Sequence, residues 1–128
     1  MALFSAETAY SLSFEERTRK KETFFERFDI IFNKKVYDNA SKGKCCCIFS
    51  WEELELDSIL IIEETVNQIL NFVLDAGYHV EFLYKSISSN LPNGILIFWG
   101  KKNNQENELQ SFIEEEREQG HEFYRSEE

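Results

Sequence analysis

One glycine divides the most informative stretch of this chain. Before Gly77 the apolar residues recur every three or four positions; after it they alternate. A period that changes from 3.6 to 2 across a glycine marks a passage from helix to strand. Asp57 suits the helix start, because its carboxylate can accept from the free N–H groups of the first turn. Ile59, Ile62, Val66, Ile69, Leu70 and Val73 then mark one face. Glu63 and Glu64 meet the positive end of the helix dipole, and Gly77 supplies a left-handed stop. Leu60, Ile61, Phe72 and Leu74 widen the apolar stripe. A helix this apolar is expected to be covered on more than one side, by a sheet and a second helix, or to offer one flank to a partner.

Beyond Gly77, Tyr78, Val80, Phe82 and Tyr84 fall on one side and His79, Glu81, Leu83 and Lys85 on the other, the pattern of a half-buried strand. Residues 88–94 collect turn formers, with Asn93-Gly94 suited to a position of positive φ. Ile95-Leu96-Ile97-Phe98-Trp99 then reads as the hairpin partner. It is apolar on both faces, which predicts an inner strand or one covered on both sides.

Upstream, Ser13-Phe14-Glu15-Glu16 has the form of a capping box and predicts a helix start. Phe24, Phe25, Phe28, Ile31, Phe32 and Val36 give the following helix its apolar face. Its other side carries Arg17, Arg19, Lys20, Lys21 and Arg27 among Glu15, Glu16, Glu22 and Glu26, a mixed run read as a solvated face with pairs such as Glu16–Lys20. Lys42-Gly43-Lys44 ends that helix, and Cys45 to Trp51 suits a strand. A strand–helix–strand unit places its two strands parallel. The expectation is therefore an α+β fold in the order helix-strand-helix-strand-strand. It has a small mixed three-stranded sheet, the two main helices packed on one face, and a charged C-terminal helix. Residues 1–12 read as an arm, 13–102 as a single domain, and 103–128 as an acidic helical tail with a flexible end.

The formal charge is −10 with a pI near 4.7. Such a balance argues against direct binding of nucleic acid or an anionic membrane, both of which need a positive field. From Asn103 onward nine glutamates face two arginines, so about seven of the ten net charges lie in the last fifth of the chain. No apolar run reaches membrane-spanning length and no secretory leader stands at Met1, so the chain is expected to stay inside a cell, or to be packaged with something made there.

Catalytic chemistry finds little to work with. Cys45, Cys46 and Cys47 alternate in direction on a strand, so they cannot converge on one ion, and no second cysteine pair exists. They read as small buried hydrophobes; a metal or redox role is the alternative. His79 and His121 have no nucleophile motif beside them. The expectation is a non-enzyme with no cofactor and no metal. The aromatics of the hairpin suit core packing better than base stacking, which needs a basic surround.

The segments Ala76-Gly77-Tyr78-His79-Val80-Glu81 and Gly94-Ile95-Leu96-Ile97-Phe98-Trp99 resemble a pattern in small uncharacterised proteins of tailed phages and large DNA viruses. The resemblance covers about half the chain. It implies a viral accessory or virion-associated component and carries over no functional residues. The functional reading is a non-enzymatic protein that binds another protein, of the host or the virion, and its charge is compatible with a basic surface on that partner. Its expected contact residues are Phe112, Glu114, Glu115, Glu116 and Glu118 in the acidic segment, and Leu60, Ile61 and Phe72 on the flank of the central helix. The alternative is an acidic nucleic-acid mimic that inhibits a DNA- or RNA-binding protein. Self-association into a homo-oligomer is left open by the apolar flank.

Overall fold

The computed structural model describes residues 2–86, 92–121 and 123–125. The expected turn at residues 88–91 and the last glutamates lie outside them. The fold is α+β. Helix α1 spans Ala6–Ala40, strand β1 Cys46–Ser50, helix α2 Glu63–Asp75, strand β2 His79–Tyr84, strand β3 Gly94–Phe98, helix α3 Gln105–Glu118 and strand β4 Tyr124–Arg125. Single 3-10 turns at Ser58–Leu60 and Lys102–Asn104 precede α2 and α3.

Helix α1 does not begin at Ser13. Ser5 caps it, its hydroxyl accepting from the Thr8 amide at 3.1 Å. No glycine or proline lies between that cap and Ala40, and Ala6, Glu7 and Ala9 are good helix formers or first-turn acids, so nothing stops the helix short. Its thirty-five residues span roughly 52 Å at the helical rise. Gly43, at φ +84°, closes the far end, with the Lys44 amide reaching back to the Asn39 carbonyl.

Asp57 is a cap, but of the 3-10 turn, through the Ile59 amide at 3.1 Å. Helix α2 starts six residues later. Between them Ile61 and Ile62 leave the helical region, a departure that β-branched side chains favour and that turns Leu60 into the core at 2% exposure. Val66, Ile69 and Val73 form the buried seam of α2, and Gly77 ends it at φ +96° as expected.

Among the described residues the sheet has four strands in the order β1-β3-β2-β4, and every pairing is antiparallel. The expected mixed three-stranded sheet is thus corrected. Strands β1 and β2 do run parallel to each other, but β3 lies between them and pairs with both. Its five residues are all buried, as an inner strand requires. Gly94 permits the close approach to β1: a Cβ there would sit 2.2 Å from the Phe49 carbonyl oxygen.

Strand alternation sorts the core into two layers. Cys47, Phe49, Ile95 and Ile97 meet α1 and α2 through Phe24, Phe28, Phe32, Ile69 and Val73. Cys46, Ile48, Leu83, Leu96 and Phe98 face the other way, onto Leu109 and Ile113 of α3. The two main helices share one face, and α3 covers the second. Strand β1 forms an edge of the sheet. The Trp99 and Trp51 amides bond to the Cys45 and Asn93 carbonyls, so the even positions of β1 turn their backbone groups to the open side. There the Lys35 ammonium donates to the Ile48 carbonyl and to Glu53.

The basic residues of α1 serve the same assembly. Lys20 pairs with Asp57 at 2.8 Å, Lys21 with Glu64 at 3.2 Å and Arg27 with Glu55 at 2.8 Å. Glu16 pairs with Arg19 rather than with Lys20.

Candidate functional site

The acidic segment is a packed helix. Leu109 and Ile113, one turn apart, are both 0% exposed, and Phe112 lies partly buried beside them with the Lys44 ammonium 6.0 Å from its ring. This seam leaves Glu114, Glu115 and Glu118 exposed on the opposite side. Gln110 donates to Glu114 at 3.2 Å. Glu116 is the exception among the expected glutamates: it is half-buried and bonded to the His121 ring at 2.8 Å. Six glutamates and one arginine in fourteen residues thus stand on a surface whose position is held by the sheet beneath it.

The end of the chain adds a polar network that the sequence reading missed. Arg125 on β4 forks onto Glu81 of β2 at 2.7 and 2.8 Å, and onto Glu106 of α3 at 2.6 and 3.1 Å. His79 holds the same Glu81 at 2.7 Å. Burial pushes the Glu81 carboxyl up, but Arg125 and His79 outweigh it and leave it below the usual carboxylate range. Arg117 donates to the Phe123 carbonyl at 3.0 Å and lies 4.7 Å from the Tyr124 ring centre. Phe123, Tyr124 and Arg125 are therefore seated, not part of a loose end. One signal was legible beforehand: Glu81 alternates with the apolar residues of β2 and so needs a cation on that face.

The second expected surface is only partly there. Leu60 is buried in the 3-10 turn and cannot reach a partner, and Ile61 packs against the core. Phe72 alone of the three is exposed, at 57%. It lies against Phe25, ring centres 5.4 Å apart, over a groove of about 340 Å³ floored by Phe28, Phe32 and Val73. Helices α2 and α3 lie on opposite faces of the sheet. The acidic surface and the Phe72 flank therefore do not form one site.

The cysteines divide between the two cores, Cys46 toward α3 and Cys47 toward α1 and α2. Burial pushes both thiols up to about 12, which keeps them protonated and poor nucleophiles at neutral pH. Among the described residues no three His, Cys, Asp or Glu side chains converge as metal ligands, and no helix is long and apolar enough to cross a membrane.

No protein-family profile matches this chain, and neither the curated proteins nor the solved structures give a match.

Proposed function

We propose that the protein is a non-enzymatic interaction module that binds a basic protein surface through the outer face of α3. The observation that carries this reading is the anchoring of α3. Leu109 and Ile113 hold the helix on the sheet while Glu114, Glu115 and Glu118 stay exposed. Acids on a fixed helix lose less freedom on binding than acids on a loose tail, so more of their attraction is kept as affinity. The resemblance to small phage and large-DNA-virus proteins supports a viral accessory or virion-associated role, acting in the host cytoplasm or on the particle.

The same rigidity favours a second reading, nucleic-acid mimicry, since carboxylates can stand in for phosphates only if their spacing is held. The partner would then be a DNA- or RNA-binding protein.

The test uses the whole chain, because deleting α3 would lay open Leu96 and Phe98. Full-length protein and a Glu114→Gln/Glu115→Gln/Glu118→Gln variant are used to capture partners from nuclease-treated host lysate. A partner lost from the variant, and released from the native protein as salt shortens the screening length from ~8 to ~3 Å, supports the acidic face. A partner kept by the variant at high salt removes it. Competition by added DNA or RNA for the captured partner separates mimicry from simple charge pairing.

A further inference from the structure

Residues 6–19 of α1 project from the body. All are exposed except Glu16, which is half-buried and pairs with its neighbour Arg19. Among the described residues, the first side chains of α1 to bond with the body are those of Lys20 and Lys21, onto Asp57 and Glu64. A helix of this length is marginal in water on its own. Yet the arm carries Tyr10 at 67% exposure and Phe14 at 58%, their rings stacked at 6.3 Å, and before the cap Leu3 at 85% and Phe4 at 78%. Positions 10, 14, 17, 21, 24 and 28 follow one helical face. The body covers that face at Phe24 and Phe28 and leaves it open at Tyr10 and Phe14.

The spacing of the open face identifies what covers it. Glu7, Tyr10, Phe14 and Arg17 stand at steps of three, four and three, a series that reads the same in both directions about position 12. We propose that two copies of this chain pair through their arms, antiparallel, about a two-fold axis at that position. Each Tyr10 then meets Phe14 of the other copy, and each Glu7 meets Arg17, so that every contact occurs twice, as an isologous interface demands. A parallel pairing sets Glu7 against Glu7 and Arg17 against Arg17 and is disfavoured.

The arm length fits as well. With the axis at position 12 and each body beginning at Lys20, the bodies stand roughly 24 Å apart along the helices, and one arm fills that gap. The Leu3-Phe4 tip then arrives beside Lys20 of the other copy. There a groove of about 300 Å³ is floored by Phe24, Leu54 and Leu60. The contact is smaller than a standard interface, so the dimer is expected to depend on concentration rather than to be permanent. This inference does not rest on the acidic face of α3.

Sedimentation velocity across a wide concentration range tests it. The expected result is a mass rising from one chain, 15.2 kDa, toward two, and a Tyr10→Ala/Phe14→Ala variant that stays monomeric with an unchanged circular-dichroism melt. Charge reversal supplies the specific test. Glu7→Lys or Arg17→Glu alone creates two like-charge pairs and weakens association by about tenfold, while Glu7→Lys/Arg17→Glu restores it. A native chain that is monomeric throughout, a dimer indifferent to Tyr10 and Phe14, or a double reversal that fails to recover association would each overturn the pairing.

Discussion

Replacing Leu109 by alanine tests whether α3 belongs to the folded body. Leu109 is fully buried against the second face of the sheet. The substitution removes three carbons, at ~0.8 kcal/mol each on transfer. The cavity left between α3 and Leu96 adds to this, which places the total at about 3–4 kcal/mol, inside the usual range for buried leucine. A domain of this size has a stability of roughly 6–19 kcal/mol, so the loss is a large share of the whole. Urea unfolding, followed by the fluorescence of buried Trp51, is expected to show a midpoint lowered by about 1–2 M with the slope unchanged. Glu115→Ala, on the outer side of the same helix, is the control and should stay within about 0.5 kcal/mol. If Leu109→Ala were as quiet as that control, α3 would not be seated on the sheet, and the anchored acidic surface would lose its physical basis.

Two further outcomes follow from the polar network and the thiols. The carboxyl of Glu81 is held below its unfolded value of about 4.3, so its pairing stabilises the fold above that pH and is lost as pH falls through the lower folded value. Arg125→Ala should therefore cost about 1–3 kcal/mol at pH 7, with the gap to the native chain narrowing below pH ~4; denaturation curves at pH ~7 and ~3 check this, and an unchanged gap would assign the loss to packing instead. In thiol labelling near neutral pH, half-buried Cys45 should react first while Cys46 and Cys47 wait for unfolding. Equal rates in the native protein would contradict their burial.

Much of this architecture was legible because it is local. Gly77 and the change of period around it placed α2 and β2, and the two apolar faces of β3 announced a strand covered on both sides. That last observation already implied a layer on each face of the sheet. The layer was not recognised because its seam is narrow: only Leu109 and Ile113 of α3 are buried, amid six glutamates. Strand order was not legible at all. A hairpin is a contact between neighbours in sequence, whereas the pairing of β1 with β3 is decided by how α1 and α2 pack. Strand β4, two residues long, carries no periodicity to detect. For the candidate site, the exposure of Glu114, Glu115 and Glu118 followed from the helical pattern. Leu60 was misplaced because Asp57 caps one 3-10 turn instead of a helix.

The lysine on the outer side of β1 has a consequence for the chain in concentrated surroundings. An edge strand presents backbone groups that can template a further strand, and β1 is apolar along most of its length. Lys35 occupies the Ile48 carbonyl from the side and places a charge where an incoming backbone would lie. The fold therefore resists growth into ribbons along its most apolar edge, and copies of the chain can crowd together without one adding a fifth strand to another's sheet.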